Sequence, residues 1–442
     1  MKKLIAMAMA MMMVFGAVPG FGEAAAAEDG LPAAGEVIHG FEVKEIREFP
    51  AAGAELVLFE HGKTGAKVMY IANDDTNRAF QLTFLTRPVD NTGLPHVFEH
   101  ATLYGSDKYP SKTLLFNASY QTYNTYINAT TMDAITSYPL ASLSEEQLLR
   151  LADWYIDSCF HPNIMKDESI YKTQAWHYEM ADADSPLTLE GTVYTEMVGA
   201  MTRDATALHN ANEATFPGAS LSYEYGGMPA HIPEMTWESL KGYHDRYYHP
   251  SNCFVLLYGA LKNYGAFLEL LDSEFSQYER KEFTEDEADY RRITEPKVSK
   301  IPYPTPAGTD TASQSTVMYY VVCPGMKGDT AAEQAMDHLC SLIGSQGSPL
   351  MQNLKKALPT GTFSVGREVA APDDAVLFSA SNVNEDDGEV FRQTIQDSLR
   401  EIAEQNLDAT LVDAIMTQLR LSDKLTGEQA SPVESIVRLM AY

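Results

Sequence analysis

The chain has 442 residues, of which 45% are hydrophobic and 21% charged, a composition typical of a soluble globular protein with two or three domains. Its formal net charge is −29, from 61 acidic and 32 basic residues, which argues against a nucleic-acid partner because phosphates require a basic surface. The acidic excess either favours cationic partners through electrostatic steering or serves solubility alone.

Residues 1–26 are predicted to form a secretory signal peptide. Two lysines precede an apolar stretch that runs from Leu4 to Val18, and a group of small residues follows at 24–27. This order of charged, apolar and small residues is typical of a signal that is cleaved, here near Ala26. A buried helix or a membrane anchor is the alternative, but the apolar run is short. We therefore expect an exported protein, extracellular or in the cell envelope.

Alternating apolar and polar residues predict strands in the first third of the chain. Residues 53–74 read as a hairpin with a Gly-rich turn at 62–65, and residues 77–88 as a further strand. Residues 120–141 alternate again, with a turn near 130–133, and predict a second hairpin.

Helices are predicted between and after these strands. Residues 94–103 form one candidate, with Pro95 in the first turn, where a missing N–H costs little. Residues 142–160 open on a capping pattern and have helical spacing. Further helices are expected around residues 165–180, 189–202 and 236–248.

A change in amino-acid composition marks a domain boundary. Residues 273–310 are charge-dense and then Pro-rich, which is typical of a linker. We therefore expect a first α+β domain at residues 36–272. Residues 311–442 restart a strand–helix–strand–helix pattern and predict a second, non-catalytic α+β domain.

The stretch "PHVFEH" carries the most specific chemistry in the sequence. On a helix, His96 and His100 project from one face one turn apart, a spacing that suits two nitrogen ligands of one zinc ion. Glu99 can reach a water on the same metal, whose pKa zinc lowers to about 7, and can take its proton. The alternative is three polar residues on the wet side of a helix, since a motif this short also arises by chance.

A catalytic zinc also requires a third protein ligand. The best candidate is Glu196, in the helical pattern "GTVYTEMVGAM", although a plain surface glutamate is the alternative. Glu190 precedes it and could orient a ligating histidine through a hydrogen bond. The other histidines and the four cysteines read as structural, the cysteines as buried free thiols.

The sequence around these residues resembles the N-terminal half of the pitrilysin family of zinc peptidases, in the branch of the organellar presequence proteases. The resemblance is dense from about residue 36 to residue 265 and looser after residue 300. It is carried, in the family's order, by the stretches "GLPHVFEHATLYGSDKYP", "YNTYINATTMDAITSYPLAS", "YIDSCFHP", "AWHYEM", "GTVYTEMVGAM" and "RYYHPSNCFVLLYGAL".

The resemblance implies that His96, His100 and Glu196 bind zinc and that Glu99 is the general base. It implies an α+β fold with two related domains, each a mostly antiparallel sheet with helices packed on it. Two such halves close around an extended peptide in the family. Glu190 lies six residues before Glu196, whereas related families keep a helper glutamate seven before, so its role stays open.

The resemblance also assigns a role to "YNTYINAT". In the family this stretch is an edge strand to which the substrate adds as a further strand, and Asn124, Asn128 and Ala129 match the positions nearest the peptide. An ordinary hairpin with Asn near its turn is the alternative.

Three functions remain open from the sequence. The first is a secreted zinc endopeptidase acting on unstructured, preferentially basic, peptides. The second is a non-catalytic or partner-dependent subunit of a two-chain enzyme, and the third a metal-binding sensor, which would not need Glu99. The branch continues into a second half, which residues after 300 do not resemble. We therefore expect the chain alone to bind zinc but to cleave poorly without a C-terminal half or partner subunit.

Overall fold

The computed structural model describes residues 30–49, 53–283, 290, 293–309, 311–326, 328–369, 373–406 and 408–429. The predicted signal peptide lies outside these residues. In chain order the strands are β1 (Val37–Ile38), β2 (Phe41–Phe49), β3 (Ala54–His61), β4 (Lys67–Ala72), β5 (Arg78–Leu85), β6 (Asn124–Ile127), β7 (Thr130–Thr131), β8 (Ile135–Ser142), β9 (His177–Glu179), β10 (Thr188–Glu190), β11 (Cys253–Tyr258), β12 (Ser315–Cys323), β13 (Thr362–Val369) and β14 (Asp374–Val383).

The α-helices lie between and after these strands, singly or in groups. They are α1 (Leu94–Thr102), α2 (Leu114–Gln121), α3 (Glu145–Phe160), α4 (Glu168–Gln174), α5 (Thr192–Ala200), α6 (Arg203–Thr215), α7 (Trp237–Tyr247), α8 (Tyr264–Phe275), α9 (Thr330–Ile343), α10 (Pro349–Ala357), α11 (Gly388–Gln405) and α12 (Ala409–Gln429). Within the described part of the chain, none of these helices combines the length and the apolar character that a membrane span requires.

Two compact units make up the described chain. The N-terminal unit contains residues 30–201 and 223–283, and the C-terminal unit contains residues 202–222 and the chain from 290 to 426. One division between the units falls between residues 283 and 290, within the predicted linker, and two others lie at 201/202 and 222/223. Residues 202–222, which lie inside the predicted first domain, belong to the C-terminal unit.

A nine-stranded sheet forms the centre of the N-terminal unit. Its order is β1-β2-β3-β4-β11-β5-β8-β6, with β7 also paired to β8. Every pairing is antiparallel except that of β4 with β11, which is parallel. The predicted hairpin at 53–74 is β3 and β4, and the predicted alternation at 120–141 gives β6, β7 and β8. The sheet is therefore mostly antiparallel, as expected, and β6 lies at its edge.

Apolar packing fixes the helix that carries the "PHVFEH" motif. Val97, Phe98 and Ala101 of α1 are completely buried. The ring of Phe98 lies 4.4 Å from that of Tyr248, which in turn stacks 4.5 Å from Phe84 of β5. Full burial of such a side chain stabilises the fold by about 1.5–3 kcal/mol. Because this face is held in the core, the opposite face of α1 presents its polar side chains.

The C-terminal unit has a smaller sheet. Its three strands lie in the order β12-β14-β13 and are all antiparallel. Helix α6 belongs to this unit, where Phe216 at its C-terminal end lies 5.4 Å, between ring centroids, from Tyr320 of β12. The hydroxyl of Tyr320 donates to Asn212 Oδ1 at 2.7 Å. The predicted α+β class, with helices packed on two separate sheets, is confirmed.

Several elements were not predicted. Helix α2 buries only Ala118, so its sequence lacks the apolar periodicity that identifies a helix. Residues 165–180, predicted as one helix, form α4 and then β9, which pairs with β10. Helices α6 and α10 and strand β13 were also missed. The four cysteines are free, and Cys159, Cys253 and Cys340 are buried.

Candidate metal centre

Helix α1 brings two imidazoles together. His96 and His100 stand one turn apart, with ring centroids 4.8 Å from each other. The helix begins after Gly93, whose φ of 76° is in the left-handed region, and a Cβ there would lie 2.6 Å from the carbonyl oxygen of Gly226. Glycine is thus required at this approach, which brings the Gly226 backbone against the helix that carries both histidines.

Helix α5 supplies a carboxylate to the same point. Oε2 of Glu196 lies 3.8 Å from Nε2 of His96 and 3.6 Å from Nε2 of His100. The three potential ligand atoms all lie within 4.8 Å of one another, and no other such group of three is found among the described residues. Val193 and Met197 of α5 are buried, whereas the side chain of Glu196 is about half exposed.

The chemistry of this donor set fits a zinc ion. Burial lowers the pKa of both imidazoles, that of His100 to about 4, so each ring is uncharged at neutral pH and has one nitrogen with a free lone pair. Nδ1 of His96 lies 3.3 Å from the carbonyl oxygen of Gly226, to which it can donate, leaving Nε2 free to ligate. Two imidazole nitrogens and one carboxylate oxygen are the ligands of a catalytic zinc site with one open position.

Glu99 lies on α1 between the two histidines. Its Oε2 accepts a hydrogen bond from the Thr131 hydroxyl at 2.7 Å. Burial raises the pKa of Glu99 to about 7, an effect that the Glu196 charge increases and the Thr131 hydrogen bonds oppose. A carboxyl with a pKa near the working pH can both take up and release a proton, and a nearby cation would favour its ionised form.

The predicted peptide-binding residues follow the sheet edge. Among the described strands β6 pairs only with β8, so its outer backbone edge has no strand partner there. The Asn124 amide donates to Ala118 O at 3.1 Å and to Thr122 Oγ1 at 2.9 Å, which holds the end of α2. This side chain is therefore occupied within the fold, and the backbone of β6 is what remains for pairing.

The other two predicted residues lie just beyond β6. Asn128 donates its N–H to Pro139 O at 3.3 Å and accepts the Tyr155 hydroxyl at 2.9 Å. Ala129 packs against the core. The chain then enters β7, whose Thr131 binds Glu99. The sheet edge therefore leads directly to the carboxylate of the site.

Glu190 lies in β10, directly opposite His177 of β9. Within the described residues it forms no hydrogen bond or ion pair with His96 or His100, so its role in orienting a ligand stays a prediction. The structure instead places Gly226, Thr131 and Gln174 against the cluster. Sequence reasoning missed all three, because each comes from a segment remote from the motif and none has a residue type that predicts ligation.

The remaining histidines that were predicted to be structural have partners in the fold. Nε2 of His161 lies 2.9 Å from Glu274 Oε1, and that of His244 lies 3.0 Å from Cys159 O. Nδ1 of His177 lies 2.8 Å from Lys172 O, and that of His249 accepts the Ser251 N–H at 3.1 Å.

Comparison with protein families identifies one segment of the chain. Residues 234–419 match the family described as "Peptidase M16 inactive domain". The matched segment begins after Glu196, so the cluster of His96, Glu99, His100 and Glu196 lies outside it.

Three curated proteins of similar sequence are longer than this chain. It is 30% identical over 395 residues to Protein HypA of Clostridium perfringens, an alignment that covers 87% of this chain and 40% of HypA. It is 30% identical over 400 residues to the mitochondrial presequence protease of Xenopus tropicalis, covering 89% and 39% respectively. It is 29% identical over 395 residues to presequence protease 1 of Arabidopsis thaliana, an alignment that covers 87% of this chain and 36% of the relative. The chain thus spans at most 40% of these curated relatives.

Solved structures of two lengths share the fold. Pitrilysin aligns with a TM-score of 0.56 at 20% identity over 87% of this chain and 40% of pitrilysin. An M16-like peptidase from Alicyclobacillus acidocaldarius aligns with a TM-score of 0.60 at 14% identity over 89% of both chains. A protease from Helicobacter pylori gives 0.54 at 16% identity, over 86% of this chain and 87% of that one.

Proposed function

The chain belongs to the pitrilysin-type peptidases of family M16, and on this basis we propose that it is the zinc-binding part of an endopeptidase that hydrolyses unstructured peptides. His96, His100 and Glu196 are the proposed zinc ligands, and Glu99 is the proposed general base. One observation carries the proposal. Two imidazole nitrogens and a carboxylate oxygen converge within 4.8 Å, beside a buried carboxyl whose pKa is raised to about 7.

Each residue has a separate task in this proposal. A zinc ion in the cluster would supply a Lewis acid for a peptide carbonyl and for the attacking water. Glu99 takes the proton of that water and delivers it to the leaving amine, for which a pKa near neutrality is suited. Thr131 fixes one carboxylate oxygen of Glu99 at 2.7 Å, which orients the other.

Substrate binding is proposed to follow the edge of the large sheet. A peptide that pairs with the free backbone edge of β6 must be extended, and backbone hydrogen bonds place little demand on its sequence. After β6 the chain continues through residues 128–129 into β7 and so to the Thr131–Glu99 contact. A bound peptide would therefore be led toward the carboxylate, whereas a folded protein could not present a free strand.

A partner-dependent subunit is the second candidate function. The favouring observation is length, because the chain spans 40% or less of the full-length relatives above but matches some solved chains almost end to end. A second half or a partner chain would close over the substrate. It could also supply oxyanion donors, each of which contributes roughly 10²–10³ in rate.

The test is hydrolysis of an unstructured peptide by the purified chain, alone and with a separately expressed second half. We expect one zinc per chain, measured by atomic absorption, slow zinc-dependent cleavage by the chain alone, and a gain of about 10²–10³-fold when the second half is added. A folded globular protein of matched composition should resist cleavage in both assays.

Two outcomes would contradict this account. Zinc-free protein with undiminished cleavage would overturn the metal assignment. Full cleavage by the single chain, unchanged by a second half, would overturn the partner-dependent function and leave the zinc peptidase standing.

The site is also expected to prefer basic peptides. Burial raises the pKa of Tyr225 to about 12, and the neighbouring carboxylates of Asp133, Glu224 and Glu99 contribute to the rise. Burial also raises the pKa of Asp133 and that of Glu224. Neither Asp133 nor Glu224 forms an ion pair within the described residues. In their ionised form, the carboxylates near the site give it a negative potential that attracts a cationic peptide.

The measurement is kcat/KM for peptides that differ only in Lys-to-Glu replacements, at low and high salt. The basic peptide should react faster, and the difference should shrink as the Debye length falls from about 10 Å at 0.1 M to about 3 Å at 1 M ionic strength. Equal rates for both peptides at low salt would exclude this electrostatic preference.

A further inference from the structure

The two histidines of the cluster differ in what supports them. Nδ1 of His96 has the Gly226 carbonyl oxygen at 3.3 Å. For His100 no carbonyl or carboxylate among the described residues accepts from the ring nitrogen that faces away from Glu196. A ligating histidine ordinarily donates that second N–H to an acceptor, which fixes the tautomer and the ring orientation. One of the two proposed ligands therefore lacks a well-formed support.

A buried amide lies beside the unsupported histidine. Gln174 is the last residue of α4 and is 0% exposed. Its amide is close enough for a hydrogen-bonding interaction with His100. Neither amide atom, however, makes a well-formed hydrogen bond with another described group. Buried polar atoms without partners are rare and costly, so this amide requires an explanation.

The missing acceptor of His100 and the missing donor of Gln174 complement each other. His100 has an N–H without an acceptor, and Gln174 has a carbonyl oxygen without a donor. A neutral amide can accept from the imidazole without adding a third negative charge beside Glu99 and Glu196. Glu190, the carboxylate predicted for this task, lies in β10, where its backbone pairs with that of His177 in β9.

We propose that Gln174 is the positioning residue of His100: its amide oxygen accepts the Nδ1–H and holds the imidazole with Nε2 unprotonated toward Glu196. This inference rests on the proposed zinc function, since the hydrogen bond matters to the extent that Nε2 ligates. Gln174 touches neither the metal nor the substrate in this role. Its effect is on the affinity and geometry of the site.

The experiment compares zinc affinity and metal-free stability in Gln174→Met. Methionine fills a similar volume without an acceptor, and we expect zinc binding, measured by competition with a chromophoric chelator, to weaken by about 10–100-fold. The metal-free melting temperature should stay the same or rise, because two unpaired buried polar atoms are removed. Gln174→Glu, which keeps an acceptor, should retain zinc affinity near that of the wild type.

Three comparisons make the outcome decisive. The visible spectrum of the Co²⁺-substituted protein should change in Gln174→Met and stay native in the control Glu146→Gln, whose carboxylate pairs with Arg150 at the surface. If Gln174→Met binds zinc as tightly as the wild type, the inference is overturned and the proposed function stays intact. This result is expected if the Gln174 amide bonds to a buried water or to no group at all. A wild-type chain that binds no zinc would overturn the proposed function itself and this inference with it.

Discussion

Glu99→Gln is expected to retain zinc and to lower peptide turnover by about 10²–10⁴-fold, the contribution typical of a positioned general base. Glutamine has nearly the shape of glutamate, and its carbonyl oxygen can still accept the Thr131 hydroxyl that Glu99 accepts at 2.7 Å. It cannot take a proton from water. The three proposed ligand atoms are untouched by the change, so metal binding and catalysis should separate.

The measurement pairs metal content with single-turnover rates on an unstructured peptide. A matched control is Glu146→Gln on the exposed face of α3, where the carboxylate only pairs with Arg150 at the surface; it should leave both quantities unchanged. Loss of zinc from Glu99→Gln would show that Glu99 is a ligand or a structural support and not the base. Undiminished turnover would remove it from the mechanism.

The part of the site that lies on α1 could be predicted from the sequence, because its residues are close together in the chain. His96, Glu99 and His100 lie within five positions, and helical geometry alone puts the two imidazoles on one face. Glu196 required the resemblance, since the segment around it has no ligand spacing of its own. The structure brings its carboxylate within 3.8 Å of both histidines, a proximity that depends on how α5 packs beside α1.

The supports of the site could not be predicted from spacing. Gly226, Thr131 and Gln174 come from three separate segments, and each contributes through a backbone carbonyl, a hydroxyl or an amide, groups that are abundant throughout the sequence. Gly93 offers a similar lesson. A glycine before a helix predicts a simple turn. Here the glycine allows the Gly226 backbone to approach, because a Cβ at residue 93 would lie 2.6 Å from the Gly226 carbonyl oxygen.

The same distinction explains which elements were missed. Helix α6 buries only Ala207, His209 and Asn212, so its apolar pattern is weak. It belongs to the C-terminal unit because of contacts with Tyr320, more than 100 positions along the chain. Glu196 and Gly226 both contact His96. The chain between these two residues includes residues 202–222, which belong to the C-terminal unit. The predicted first domain therefore contains a segment whose packing is decided elsewhere.

His100→Ala is expected to lose zinc and turnover together, in contrast to Glu99→Gln. The change leaves Nε2 of His96 and Oε2 of Glu196, 3.8 Å apart, as the only proposed ligands. The loss of zinc affinity should therefore exceed the roughly 10–100-fold that removing an outer support costs. The fold should survive without metal, because the buried face of α1 is formed by Val97, Phe98 and Ala101.

Thermal unfolding with and without zinc measures this effect independently of activity. Zinc at about 100 times its dissociation constant should stabilise the wild type by about 2.7 kcal/mol and His100→Ala hardly at all. His231→Ala is the matched control, since that imidazole is partly exposed and pairs with Glu234 at the surface; it should keep the full zinc-induced rise in melting temperature. A zinc-induced rise in His100→Ala equal to that of the wild type would exclude His100 as a ligand, and with it the proposed centre, because no other group of three ligands is found in the described chain.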